Sequence, residues 1–212
     1  MKWDYEFDVV VVGSGNGALT SAICSHDGGA KTLVIEKSNQ YGGTSATSGG
    51  GVWIPNNRYA KAENVDDSDQ DARDYINSVS PEGMIKDELI ETYISEGPKM
   101  IDYLHENSQV KYRNLSHYPD YFPDNPGGKE GNRSMEPEPI NGTILGTDLG
   151  KLREQHPQTA FTMGPINMNF TQVEGQLLLG ALPGWKTLFA KLFTKYILDS
   201  VSYTHLTLPT KA

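Results

Sequence analysis

Residues 8–18 read Asp-Val-Val-Val-Val-Gly-Ser-Gly-Asn-Gly-Ala, and residues 34–37 read Val-Ile-Glu-Lys. No other stretch limits the possible folds as strongly. The valine run is a strand, the glycines a tight turn, and Ala18, Leu19, Ala22 and Ile23 the apolar stripe of a helix that follows. A second strand then ends at Glu36, 21 residues after Gly15. This is the βαβ fingerprint of a dinucleotide site. Gly13 permits the turn, and Gly15 lets backbone amides approach a pyrophosphate. Ser14, Asn16 and Gly17 complete the turn, and Ala18 keeps the helix close to the sheet. The positive end of the helix faces the phosphates, and Glu36 is placed to meet a ribose hydroxyl.

Beyond Glu36 and Lys37 comes a second cluster of glycines and hydroxyls. It includes Gly42, Gly43, Thr44 and Ser45, then Ser48, Gly49, Gly50, Gly51, Val52, Trp53, Ile54 and Pro55. With Pro119, Asp120, Tyr121 and Phe122, these runs resemble the flavoprotein family of 3-ketosteroid dehydrogenases and soluble fumarate reductases. The likeness is nearest to the 3-ketosteroid Δ1-dehydrogenases. It covers residues 4–200, densely over the first 57 and loosely afterwards. The resemblance implies FAD as cofactor, with Gly43 and Thr44 on its pyrophosphate and Ser48, Gly49 and Gly50 near the isoalloxazine ring. Gly42, Ser45 and Lys37 fall within the same cofactor set.

The resemblance also assigns the one catalytic candidate. Tyr121 matches a tyrosine that lines a steroid pocket and assists proton removal next to the ketone. Desaturating the 1,2-bond of a 3-ketosteroid needs a base for that proton and a flavin to accept hydride from the neighbouring carbon. A phenol ordinarily titrates near pH 10, so it needs a hydroxyl partner or a positive field to act near neutrality. The principal base and the groups that polarise the ketone are implied to lie downstream of this sequence. Two other readings stand beside this one. The first is a fumarate-type reductase of the same fold, which would need arginine clamps; Arg113, Arg133 and Arg153 form no recognisable motif. The second is a noncatalytic, truncated nucleotide-binding module.

The expected fold class is α/β: an incomplete Rossmann-like FAD-binding domain with a helical, loop-rich insertion. Residues 4–57 hold the first βαβ unit and the glycine-rich part, and residues 58–200 a helical and loop segment leading toward a substrate domain. Residues 201–210 resemble the translation of a transposon adapter used in sequencing libraries. Residues 201–212 are therefore expected to be a non-native tail, and the natural sequence to continue past residue 200.

Periodicity predicts helices over residues 69–79 and 87–96, with Gly97 and Pro98 interrupting the second and Pro98 opening another. Residues 113–142 are rich in Pro, Gly and Asn and read as loop. Pro183 and Gly184 precede a helix with the stripe Trp185, Leu188, Phe189, Leu192, Phe193, Tyr196 and Ile197. A core face, or a contact with the missing part of the protein, is the expectation there; a membrane-surface helix carrying Lys186, Lys191 and Lys195 is the alternative.

The net charge of −9 and the lack of a basic cluster argue against nucleic acid, and no long apolar run suggests a membrane span. The first eight residues contain no signal-like apolar segment. The single cysteine, Cys24, suits a cytoplasmic setting and is expected in the helix core. His26, His105, His117, His156 and His205 show no metal-ligand spacing. The expected partners are a steroid-like ketone and an electron acceptor of unassigned identity.

Overall fold

The computed structural model describes residues 3–154, 171–198 and 205–206. In chain order the strands and α-helices are β1 (Val9–Val12), α1 (Asn16–Asp27), β2 (Thr32–Ile35), β3 (Val52–Trp53), α2 (Arg58–Ala62), α3 (Asp69–Val79), α4 (Asp87–Asn107), β4 (Tyr112–Asn114), β5 (Ser134–Pro137), β6 (Ile140–Asn141), α5 (Gln172–Leu179), α6 (Trp185–Leu198) and β7 (His205–Leu206). Short 3-10 helices occupy Ser45–Thr47 and Gly142–Lys151. The chain divides into two units, residues 1–50 with 139–212, and residues 51–138. His156 and most of residues 201–212 lie outside the described residues, and so do the side chains of Lys195 and Tyr196.

The first unit opens with the Rossmann-like βαβ element. β1 and β2 pair in parallel, with Val9 opposite Thr32 and Val12 opposite Ile35. The side-chain alternation of β1 half-buries Val9 and Val11, while Val10 and Val12 are 52% and 78% exposed. Helix α1 ends at Gly28 and Gly29, whose amides bond Cys24 O and His26 O. Cys24 is exposed, which corrects its expected core position. It lies about 100° around the helix from Ile23, and only the Ala18, Leu19, Ala22 and Ile23 side is partly covered. Further along, Tyr41 N donates to Lys151 O and Arg153 N to Tyr41 O, which returns the 3-10 segment to the glycine-rich part. Helix α5 begins with a capping box in which Thr171 and Glu174 satisfy each other's backbone amides.

The second unit is a three-stranded antiparallel sheet, order β3-β5-β4, against which α2 and α4 pack, with α3 packed on α4. Its core is Ile54, Ile101, Leu104, Val110, Tyr112 and Met135. Burial of the Tyr112 phenol pushes its pKa up to about 12. Asn57 is fully buried and caps α2, accepting from Tyr59 N and Ala60 N while its amide donates to Ile54 O and Asn132 O. Ser68 caps α3 and bonds Asp71 in both directions.

Two expectations need correction here. Helix α4 runs unbroken from Asp87 to Asn107 with Pro98 inside it. Its buried stripe Ile90, Ile94, Ile101 and Leu104 continues across the interruption on one face. Burial of that stripe outweighs costs of about 1 kcal/mol for a helical Gly and about 3 for Pro. Gly97 has a packing reason as well: a Cβ there would lie 3.3 Å from Ile54 Cδ1. The expected loop over residues 113–142 contains β5, β6 and the last two residues of β4. β4 and β5 flank an excursion whose ends are joined by Leu115 N to Ser134 O and Asn132 N to Leu115 O. That excursion packs on α3 so closely that a Cβ on Gly127 would stand 2.0 Å from Asp71 O.

Pro98 withholds an amide from an otherwise regular helix. Pro98→Ala is therefore expected to raise the unfolding free energy, by up to about 3 kcal/mol. Urea unfolding followed by far-UV circular dichroism measures this, and a lower midpoint would contradict it.

Candidate functional site

Two glycine-bearing segments of the first unit meet face to face. Gly13, with φ of 95°, turns the chain out of β1 and donates its amide to Ile35 O at 2.7 Å. Gly15 then precedes α1 without a side-chain cap, and no acidic residue occupies the first turn. The dipole of α1 thus gives the turn at Gly15 a partial positive charge, with the amides of Gly17 and Ala18 in the first turn. Gly43, with φ of 56°, lies against this turn: a Cβ on it would sit 3.2 Å from Gly15 Cα. The Ser45 hydroxyl joins the segments from the other side, accepting from Asn16 N at 3.0 Å.

Ser14 is the linchpin of this arrangement. It is buried, its Oγ donates to Glu36 Oε2 at 2.5 Å, and it accepts from Gly42 N at 2.9 Å. The other carboxylate oxygen of Glu36 accepts from Ser38 N at 3.0 Å. These bonds, the Ser14 hydroxyl foremost, hold the Glu36 carboxyl below its ordinary pKa, which keeps it ionised and oriented.

Space for a ligand accompanies these donors. A Cβ added to Gly13, Gly17 or Gly49 would meet nothing within 4 Å. Ser48 Oγ donates to Ser45 O and accepts from Gly50 N, shaping the turn into Gly50, whose φ is 72°. Of the remaining expected residues, Asn16, Gly17 and Ala18 open α1, while Lys37 and Thr44 are exposed. A helix start with no acidic residue in its first turn, a fixed carboxylate and open volume above glycines fit the pyrophosphate and ribose of a dinucleotide. The sequence signal singled out these glycines and Glu36; it did not reveal that Ser14 and Ser45 bond the two segments together.

The second unit contains a cleft of about 300 Å³. Trp53 and Ser134 line it from the sheet, Tyr75, Ile76 and Val79 from α3, and Tyr118, Tyr121 and Phe122 from the excursion. Tyr121, the catalytic candidate, is 83% exposed. The neighbouring Asp120 is buried, with Oδ1 accepting from Trp53 Nε1 at 2.6 Å and Oδ2 accepting from Lys129 N and Arg133. Phe122 N donates to Tyr75 Oη at 3.3 Å, and Lys129 Nζ reaches Asp71. Lys129 in turn holds the Asp71 carboxyl below its ordinary pKa. Sequence reasoning selected Tyr121 but missed Trp53 and Tyr75 as cleft walls, because they come from segments far from Tyr121 in the chain.

Fold and cradle together define a Rossmann-like dinucleotide-binding protein of the flavoprotein class. The chain matches the FAD binding domain family over residues 8–191, and it belongs to that family, with FAD as its cofactor. It is 40% identical over 163 residues, 77% of this chain, to a 3-oxosteroid 1-dehydrogenase of Mycobacterium tuberculosis, and spans 28% of that protein's length. It is 38% identical over 157 residues, 74% of this chain and 27% of the relative, to a 4-oxocyclohexanecarboxylate 2-dehydrogenase of Sinomonas cyclohexanicum. The crystal structure of 3-ketosteroid Δ1-dehydrogenase from Sterolibacterium denitrificans, in complex with 1,4-androstadiene-3,17-dione, superposes with a TM-score of 0.85 at 36% identity. It covers 95% of this chain and 36% of that one. Among the described residues, no helix is long and apolar enough to cross a membrane.

Glu36 has its folded pKa below the ordinary 4.5, so its contribution to stability is complete above that value and lost as pH falls through the lowered one. The Glu36→Gln variant is expected to lack this part of the acid limb. Urea midpoints compared from pH 6 to about pH 3 test it, and parallel curves would refute it. Gly43→Ala combines positive φ with contact on Gly15 and is expected to cost about 1–2 kcal/mol. Thermal unfolding and flavin retention together measure that loss.

Proposed function

We propose that the protein is an FAD-dependent oxidoreductase acting on the CH–CH bond next to a ring ketone, and that its substrate is a 3-ketosteroid desaturated at the 1,2-bond. The observation that carries this reading is the apolar aromatic cleft with Tyr121 at its edge. The similarity to ketosteroid and oxocyclohexane dehydrogenases supports it.

Gly13, Ser14, Gly15, Asn16, Gly17, Ala18, Gly42, Gly43, Thr44 and Ser45 hold the pyrophosphate half of FAD in this reading. Glu36 takes the ribose, Lys37 lies beside it, and Ser48, Gly49 and Gly50 approach the flavin ring. Bound FAD supplies the two-electron acceptor for the reaction. Tyr121 Oη assists removal of the proton from the carbon alpha to the ketone. Trp53, Tyr118 and Phe122 exclude water around the rings of the substrate, which strengthens that proton transfer. An external electron acceptor of unassigned identity closes the cycle. A cytoplasmic setting belongs to the same proposal and rests on the single cysteine in the sequence.

The four arginines of the second unit, where the cleft lies, favour a ketone over a small dicarboxylate. Arg133 is committed to Asp67 and Asp120, Arg113 to Glu136, Arg58 to Asp102 and Glu106, and Arg73 to Glu91. A fumarate-type site would need such guanidinium groups turned toward the ligand.

The test is anaerobic flavin bleaching in the holoenzyme with a 4-ene-3-ketosteroid, 4-oxocyclohexanecarboxylate and succinate in parallel. Bleaching by the steroid alone is expected. Tyr121→Phe should slow it by roughly 10²–10⁴-fold with flavin content unchanged. Bleaching confined to the cyclohexane acid would redirect the substrate assignment, and bleaching by succinate would favour the fumarate-type reading.

A further inference from the structure

We infer that Arg133 is a positioning residue that sets the spacing between the two walls of the aromatic cleft, and thereby decides how a ring system is seated there. The inference rests on the proposed function, since it takes the cleft as the substrate site. Arg133 does not line the cleft itself and is only 1% exposed. Its Nε lies 3.1 and 3.2 Å from the two carboxylate oxygens of Asp67, and one terminal nitrogen lies 2.7 Å from Asp67 Oδ1. Asp67 immediately precedes Ser68, the cap of α3, so this grip fixes the helix that presents Tyr75, Ile76 and Val79. The other terminal nitrogen lies 2.9 Å from Asp120 Oδ2, in the middle of the segment that presents Tyr118, Tyr121 and Phe122.

One rigid fork therefore spans both walls. The base of the cleft is tied in as well: Trp53 Nε1 donates to Asp120, and the guanidinium lies 5.4 Å from the Trp53 ring and 5.8 Å from the Tyr75 ring. Asp67 takes further donors from Asn56 N and Ser68 N, so the surplus carboxylate is compensated within the assembly. Stability alone does not require this design, because a buried ion pair is often replaceable by apolar side chains of similar volume. Spacing does require it. The planar guanidinium holds two carboxylates at fixed separation and angle, which a lysine ammonium does not reproduce.

The experiment compares Arg133→Lys with Leu104→Ala in the holoenzyme. Leu104 lies in the core formed with Ile101 and Met135, is absent from the cleft lining, and serves as a control for destabilisation. In Arg133→Lys, the KM for a 4-ene-3-ketosteroid is expected to rise on the order of ten- to a hundredfold, with kcat changed by less than about threefold. Flavin content should be unchanged, and Leu104→Ala should leave KM within about twofold. An unchanged KM in Arg133→Lys, or an equal rise in both variants, would overturn the inference. If Arg133→Lys does not fold, Asp120→Asn enters the same comparison with the same two outcomes.

A wild-type holoenzyme inert toward ketosteroids would remove the functional reading without deciding the geometric one. The near-ultraviolet circular dichroism of Trp53, taken as wild type minus Trp53→Phe, decides that separately. Loss of the band in Arg133→Lys but not in Leu104→Ala upholds the positioning role. A band unchanged in both, or lost equally in both, refutes it.

Discussion

The second unit is organised by a single buried guanidinium. Arg133 bonds Asp67 ahead of α3 and Asp120 in the excursion between β4 and β5, and lies over Trp53 of β3. Burying a charge is costly unless every donor and acceptor finds a partner. Here two carboxylates, an indole N–H and several backbone amides meet that condition. The excursion thereby behaves as part of the scaffold, although its Pro- and Gly-rich composition reads as loop. It also explains how Tyr121 can be largely exposed on a segment with fixed backbone: its neighbours Asp120 and Phe122 are both anchored.

The first unit obeys a different constraint, the close approach of two glycine-bearing backbone segments. A side chain at residue 43 would crowd Gly15 and would sit on a backbone with positive φ, so glycine occupies that position. The cross-links are short polar side chains. Ser14 connects Glu36 to Gly42, and Ser45 connects the second segment to the start of α1. The Glu36 carboxylate is thereby ionised and oriented by its own protein.

Much of this was legible in the sequence, and the reasons differ by element. The βαβ fingerprint was legible because turn, helix start and strand end are local and set by glycine geometry. Helix α3 appeared at its expected residues, 69–79, because its apolar spacing and its Ser68 cap agree with each other. Helix α4 was misread as broken because Gly97 and Pro98 speak only for local propensity. The buried stripe from Ile90 to Leu104 decided otherwise. Strands β4 and β5 were hidden because three and four residues carry little periodic signal, and their pairing partners are remote. Cys24 was misplaced because one helical step separates a partly covered face from an open one.

By itself, the sequence determined the glycine turn after the first strand, the acidic end of the second strand, the second glycine cluster and the tyrosine-bearing segment. Each follows from residue type within a short window: conformational freedom at glycine, charge at Glu36, a phenol flanked by prolines. Only the tertiary structure decided that Ser14 lies between Glu36 and Gly42, and that Asp67, Asp120 and Arg133 form one buried assembly. It alone decided that Trp53, Tyr75 and Tyr121 share a cleft. Those relations join residues 13 to 68 positions apart, and for the buried Arg133, Asp120 and Ser14 they satisfy charges and donors too costly to leave unpaired.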